Sequence, residues 1–562
     1  MEKVWHKFYE EGVPKEIDYP DVPLYQFLDD TAKKFPDVTA TLFFGAKITY
    51  RELGNLVERF ATSLHSLGIK KGDRVALILP NCPQSIISYY ALLKLGAIIV
   101  QTNPMYVERE LQYQLNDSGT ETVILLDFIY PRIKRIKKDT KLKNIIVTSI
   151  KDYLPFPLNL LYPIKQRKEG QFVKIKRDEV YLFNDLIRGA KGSLPKVNLS
   201  AEDVALLQYT GGTTGISKGV MLTHKNLVAN VLQGRYWVPE KYHHTPGEEI
   251  MLCVIPFFHV YGMTVCMNLA IYAGATMLLV PRFQIEETLS TITKYKPTLF
   301  PGIPTLYAAI NNYKDLKKYD LSSIGIMNSG AAPLPLEIME KFEQKTGGKI
   351  VEGYGLTESS PACLSNPLYG RRKEGSIGIP MADTEAKIVD LETGEKEVSR
   401  GEVGELCIKG PQVMKGYWNK EEETKATIRD GWLYTGDIAK VDAEGYFYIV
   451  DRKKDLIIAG GYNIYPREID EVLYEHPKIL EACTAGIPDK YRGETVKAYI
   501  VLKEGETLTE EEVIKFCKER LAPYKVPKII EFRKELPKSM VGKVLRKILR
   551  EEEAKKLGQN CQ

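Results

Sequence analysis

The sequence contains no C-x-x-C pair, and its eight cysteines are scattered without clustering beside the seven histidines. That spacing excludes a structural zinc site and implies a reducing compartment. No run approaches eighteen apolar residues, so no transmembrane helix is expected. The N-terminal segment MEKVWHKFYEEGVPKEIDYP lacks an apolar core, so it does not read as a signal peptide. Charge of one sign is scarce: a net +5 over 562 residues gives no argument for nucleic acid as a partner. Internal repeats and low-complexity tracts are missing. The P-loop spacing G-x-x-x-x-G-K-[ST] is also missing.

What remains is a globular composition, 44% apolar and 27% charged, in a chain long enough for two or more domains. In the first third, helix-like and strand-like segments alternate. Thr49 and Glu52 form a capping-box pattern, followed by Leu53, Leu56, Val57, Phe60 and Leu64 at helical spacing. Strands are predicted at Val75–Leu79, Ala97–Val100 and Thr122–Leu126, with helices near Gln84–Leu95 and Glu108–Asn116 between them. This rhythm predicts βαβ units on a largely parallel sheet, and it returns after Thr223, giving two α/β subdomains. Between them lie a basic run from Arg132 to Lys138 and a proline-broken apolar run, Tyr153–Ile164. The prolines argue against a regular helix there. Basic residues beside that run leave peripheral membrane contact open. From about 366 to 440 the pattern changes to short strands and turns, a small β-rich subdomain. The segment 452–562 reads as a separate α+β domain after a charged junction, Asp451–Asp455, and 1–451 as the large N-terminal domain.

The stretch Tyr209–Gly219, YTGGTTGISKG, holds four glycines, three threonines, a serine and a lysine. Glycines let a backbone approach a ligand, hydroxyls and N–H groups donate to phosphate oxygens, and lysine adds a compact charge. Further on, Gly353–Ser359 (GYGLTES) follows Ser329-Gly-Ala-Ala-Pro333. An aromatic can stack on adenine, a threonine can bind phosphate, and a glutamate is a hard oxygen ligand for Mg²⁺. Other prominent stretches are Pro256–Gly262 (PFFHVYG), Asp430–Lys454 (DGWLYTGDIAKVDAEGYFYIVDRKK) and Pro537–Lys547 (PKSMVGKVLRK).

These five stretches, in this order, resemble the adenylate-forming (ANL) superfamily of acyl-CoA synthetases, luciferases and peptide-synthetase adenylation domains. The resemblance runs from about Tyr25 to Leu549. It implies an α/β fold with a large N-terminal domain and a small mobile C-terminal domain. It places ATP on Thr210, Gly211, Gly212, Thr213, Thr214, Gly215 and Lys218, and adenine beside Gly330, Ala331 and Ala332. Tyr354, Gly355 and Thr357 adjoin the nucleotide. Glu358, with Thr213, would hold Mg²⁺. Asp437 would accept the ribose hydroxyls, with Ile449 and Arg452 nearby. Lys543 matches the lysine that enters the active site for adenylation, although Val541 departs from the commoner flank. Lys454 falls where the family pivots, and Gly460, Gly461 and Tyr462 where a CoA tunnel forms. His259, grouped with Lys543, Thr210 and Glu358 as catalytic, suits a pocket wall or gate better than acid–base work.

Acetate-type relatives usually place a tryptophan where Gly355 stands, and amino-acid-activating domains an aspartate near Phe258 and His259. Both departures favour a longer uncharged tail, with Tyr236 and Trp237, beside Arg235, as pocket entrance. The resemblance therefore implies ATP, CoA and a medium- or long-chain fatty acid as substrates. An aryl or cinnamate-type acid, transfer to a carrier protein and a homodimer stay open.

Overall fold

A computed structural model describes residues 3–211, 217–459, 462–489, 492–539 and 543–556. The chain divides into two compact units. The larger comprises Trp5–Glu385 with Ile408–Leu433, and the smaller comprises Ala386–Cys407 and Tyr434–Gln562 with Met1–Val4.

The larger unit is built on two sheets. One has eight strands, with Arg74–Ile78, Ile98–Gln101, Thr122–Leu126, Asn144–Thr148 and Val204–Gly211 forming its parallel centre. The other has nine, with Ile250–Cys253, Thr276–Leu279, Leu299–Gly302, Ile326–Ser329 and Lys349–Gly355 running parallel. The expected pair of α/β subdomains is therefore present. Local signals explain the helices. Thr49 Oγ accepts from the Glu52 N–H at 3.2 Å and the Glu52 carboxylate accepts from the Thr49 N–H at 2.8 Å, starting helix Tyr50–Ser66. Leu53, Val57, Phe60 and Leu64 are buried on its inner face. Helix Pro83–Leu95 is buried almost all round and ends at Gly96, whose φ of +68° suits glycine. Side chains knit the sheets together: Asn81 Nδ2 donates to Cys253 O and Ile255 O, each at 2.9 Å.

The structure departs from expectation at three places. The apolar run does contain a helix, Leu158–Lys168, with Pro163 inside it. The proline removes one helical donor, but the buried side is tied down where Gln166 Nε2 donates to both Asp127 carboxylate oxygens, at 3.2 and 3.1 Å. The segment 366–440 is not one body. Ile379–Pro380 extends the nine-stranded sheet and Gly416–Tyr417 the eight-stranded one, because each short strand pairs with an available edge. Packing also cuts the chain elsewhere than at 451/452. The antiparallel hairpin of Trp432–Val441 with Phe447–Arg452 crosses that point without a break and groups with the C-terminal chain.

In the smaller unit, Gly493–Leu502 pairs antiparallel with Ile479–Asp489 and parallel with Ile529–Phe532. Helices Pro466–Tyr474 and Glu510–Lys518 close a core of Ile469, Leu473, Val513 and Cys517 on Val496, Ala498 and Ile500. Helix Arg546–Lys556 places Leu549 in a second cluster with Cys483, Tyr499 and Val501. This is an α+β body. The seven cysteines among the described residues are buried and form no disulfide. No helix there is long and apolar enough to cross a membrane.

Candidate active site

In the larger unit, strand Val204–Gly211 turns back as Ser217–Thr223, with Thr210 opposite Lys218 and Gly211 opposite Ser217. Ser217 Oγ donates to Thr210 O at 3.0 Å, which pins the mouth of the glycine-rich loop. Gly212, Thr213, Thr214 and Gly215 lie outside the described residues. Just before the loop, Gln208 Nε2 donates to Phe258 O at 2.7 Å, joining it to the PFFHVYG segment.

Gly302 and Ser329 are neighbours at the carboxyl ends of two parallel strands, and Ser329 pairs with Glu352, the last residue of Lys349–Gly355 in the parallel register. The loop Gly330–Ala332 and the residues Tyr354–Gly355 leave from these ends, the usual ligand side of a parallel α/β sheet. Ala331 holds φ at +68°. That conformation costs an L-residue about 1 kcal/mol, and such strain concentrates at functional loops. Tyr261 donates to Asn328 O at 2.8 Å, so the PFFHVYG segment is fastened to the strand carrying this loop. Gly262 is obligatory: a Cβ there would lie 2.4 Å from Pro256 O, at the start of the π-helical stretch Gly262–Asn268.

His259 accepts the Tyr261 N–H on Nδ1 at 3.2 Å, and burial pulls its pKa down to about 4. The imidazole is neutral at pH 7 with one nitrogen engaged. Desolvation disfavours the charged ring, so an imidazolium role is unfavourable at this position. Arg235 is paired with Glu249 at 3.3 Å, and Trp237 donates to Asn366 O at 3.1 Å and packs against Tyr9. These partners fix both side chains, and Tyr236 between them is exposed. Gly355 has a second reason to be glycine. A Cβ at that position would sit 2.1 Å from Pro361 O, where Lys349–Gly355 pairs with Ala362–Ser365.

Thr357 opens the short turn Thr357–Ser359, which presents Glu358. The Glu358 carboxylate accepts from the Tyr417 hydroxyl at 2.8 Å, and its carbonyl from the Met414 N–H at 2.8 Å. Lys218 Nζ lies over the Tyr417 ring, 5.1 Å from its centroid. Burial first, and the Glu358 charge second, push the Tyr417 pKa up, so the phenol stays a donor. Sequence reading missed Tyr417. Its one signal is the aromatic in Gly416-Tyr-Trp418, which becomes meaningful only once strand Gly416–Tyr417 pairs with Ser217–Thr223. Among the described residues no three His, Cys, Asp or Glu gather as a metal cage. A lone hard carboxylate fits Mg²⁺ that is held mainly by nucleotide phosphates.

In the smaller unit, Asp437 and Arg452 face each other across the hairpin, Nε to Oδ1 at 2.9 Å, with the Asp437 side chain 5% exposed. Ile449, half-buried, offers its carbonyl to Arg467 Nη1 at 2.7 Å. The Lys454 carbonyl accepts from Arg550 at 2.9 Å. Lys543 is set by a local pair, its N–H donating to Ser539 Oγ at 3.2 Å and its carbonyl accepting from the Ser539 N–H at 2.8 Å. Burial, then the Arg452 charge, lower the Lys543 pKa to about 8, with Asp437 and Asp455 opposing. The sequence-predicted residues Asp437, Arg452 and Lys543 are thus electrostatic neighbours. Gly460 and Gly461 lie outside the described residues, and Tyr462 opens strand Tyr462–Ile464.

The pattern of the family described as "AMP-binding enzyme" matches residues 28–418, and that of its C-terminal domain matches 468–543. The chain belongs to this family. It is an AMP-forming acyl-CoA synthetase of the ANL superfamily. A long-chain-fatty-acid–CoA ligase of Bacillus subtilis (strain 168) is 51% identical over 98% of both chains. A long-chain-fatty-acid–CoA ligase of Escherichia coli O157:H7 is 40% identical over 98% of both. Among solved structures, an anthranilate CoA ligase, AuaEII, in complex with anthranoyl-AMP aligns with a TM-score of 0.83 at 29% identity, covering 96% of this chain and 98% of that one. The motifs fall on both of this chain's units. Thr210, Lys218 and Glu358 lie on one, and Asp437, Arg452 and Lys543 on the other.

Proposed function

We propose that this AMP-binding enzyme converts a medium- or long-chain fatty acid, ATP and CoA to acyl-CoA, AMP and pyrophosphate. The carrying observation lies within the larger unit, where a phosphate-loop stem is tied through Tyr417 to Glu358; within the smaller unit, a lysine held beside Asp437 and Arg452 supports it. The names of the Bacillus and Escherichia relatives support the choice of acid.

A carboxylate is a poor acyl donor because oxide would have to leave. In the first half-reaction a carboxylate oxygen attacks the α-phosphorus of ATP, the bond to pyrophosphate breaks, and acyl-AMP forms. Catalysis is mainly positioning and charge stabilisation. Lys543 neutralises charge at the α-phosphate, Thr210 and Lys218 hold the departing phosphates, and Asp437 accepts the ribose hydroxyls. Glu358 would hold Mg²⁺, which supplies charge neutralisation at the phosphates when bound. In the second half-reaction the CoA sulfur attacks the acyl carbon, the thiol proton is lost, and the acyl–phosphate bond breaks to release AMP.

Lys454 serves as the pivot on which Lys543 withdraws between the half-reactions and the segment Ala459–Pro466 replaces it. Lys454→Pro should slow thioester formation far more than adenylate formation, and equal loss in both would count against a pivot there. AMP release with ATP, CoA and acids from acetate to oleate, plus cinnamate, tests the whole reading. A maximum at a long chain supports it. A maximum at cinnamate favours the aryl reading, for which the likeness to the anthranilate ligase is the supporting observation. Activity only with an acyl carrier protein in place of CoA would move the reading to transfer onto a carrier.

A further inference from the structure

Helix Leu158–Lys168 leaves its apolar side chains outward. Phe156 is 78% exposed, Leu160 65%, Leu161 52%, Ile164 51% and Leu158 41%. Five large apolar side chains exposed within nine residues form a contiguous feature that solitary exposed leucines do not make. The helix does not lie this way for want of anchoring, because Gln166 and Asp127 fix its inner side and Tyr162 is half-buried.

The second half of the same helix changes character. Lys165, Arg167 and Lys168 are all exposed, and Arg167 stacks over Phe172, itself 43% exposed, at 4.5 Å. From Lys151 to Arg177 there are seven basic residues against two acidic ones, Asp152 and Glu169. Glu169 approaches Lys165 at 3.9 Å, and Asp152 is turned inward to the Ser149 N–H. The other basic run is different. Lys134 pairs with Glu179 and Arg135 with Glu108, each in direct contact, and Arg132 donates to the carbonyls of Pro104 and Tyr106.

We propose that helix Leu158–Lys168, with Phe156 leading it, docks this protein on a bilayer surface carrying anionic lipid headgroups. The apolar side chains from Phe156 to Ile164 enter the headgroup–acyl boundary, and Lys165, Arg167 and Lys168 meet the lipid phosphates. Apolar insertion beside a cluster of cations matches an anionic lipid interface. A protein partner burying the same leucines would gain nothing from a cation cluster unless it were acidic. The proposal does not rest on which acid the enzyme activates.

Purified full-length protein is mixed with extruded vesicles of phosphatidylcholine alone or with about a third phosphatidylglycerol, and bound protein is measured by flotation. Binding to the anionic vesicles that weakens with added salt is expected. Leu160→Gln with Leu161→Gln should weaken it by roughly tenfold or more, since each removes buried apolar surface. Phe156→Ser, placed before the helix, should weaken it by about severalfold on the same ground. Lys165→Gln, Arg167→Gln and Lys168→Gln together should reduce anionic binding to the level seen on neutral vesicles. AMP formation without vesicles should be unchanged in every variant, because none of these residues belongs to the active site. Absence of wild-type binding overturns the proposal. So does vesicle binding by the variants equal to wild type. A wild-type dimer that these variants convert to monomer, with vesicle binding unaltered, would assign the face to a second copy of the chain instead.

Discussion

Glu358 shares its carboxylate with a neutral phenol, the Tyr417 hydroxyl at 2.8 Å. Asp437 lies 2.9 Å from the Arg452 guanidinium and is almost wholly buried. A carboxylate next to a neutral donor keeps its charge for an incoming cation. One next to a guanidinium is already compensated and is better used as an oriented acceptor for hydroxyls. The two carboxylates therefore differ in what each suits: on the reading proposed above, Glu358 suits a cation and Asp437 a pair of sugar hydroxyls.

The comparison can be broken at several points. Lys543→Ala should lower pyrophosphate release by about 10²–10³-fold while thioester formation from supplied acyl-AMP changes little. Comparable losses in both half-reactions would show the lysine to be structural. Glu358→Gln should cost adenylation about 10²-fold, with the Mg²⁺ concentration for half-maximal rate moved upward. An unchanged Mg²⁺ dependence would remove Glu358 from the metal. Tyr417→Phe should have a smaller effect, about tenfold at most, since one hydrogen bond to a charged group is lost while the ring under Lys218 remains. It should be nearly silent in a Glu358→Gln background, which a double-mutant cycle would reveal.

The smallest effect concerns pH. A lysine whose pKa is lowered to about 8 loses its charge as pH rises through that value, so kcat/KM for adenylation should fall on the alkaline side above about pH 8. Arg452→Gln removes a cation that repels Lys543 and one that draws on the Asp437 charge. Both changes favour the charged lysine, so the alkaline limb should move to higher pH, by about one unit or less. A limb that stays in place would mean that Arg452 does not govern Lys543.

Much of this was legible because it is local. The Thr49–Glu52 capping box, the alternation of Thr122–Leu126 with its flanking helices, and the glycine-rich stretch all carry their meaning within a dozen residues. Lys543 was legible only by resemblance, since nothing in its neighbourhood distinguishes it from a surface lysine. Tyr417 was hidden because its hydroxyl meets a residue 59 positions away, in the turn Thr357–Ser359 that follows a strand of the other sheet. Pro163 misled because a helix-breaking residue acts against a helix on its own, whereas the buried Gln166–Asp127 contact acts on this one from outside. For His259 the sequence reading already favoured a pocket wall or gate over acid–base work, and its burial, which lowers the pKa to about 4, agrees with that preference.

Gly355 carries the last consequence. A family comparison treats the residue there as a ruler for tail length, with a large ring meaning a short acid. In this protein the ruler cannot be exchanged, since any side chain would have to pass through the Pro361 carbonyl. An engineer seeking acetate activity by planting tryptophan at 355 should first expect a misfolded hairpin, and would do better to re-lay the 355–361 backbone before choosing the side chain.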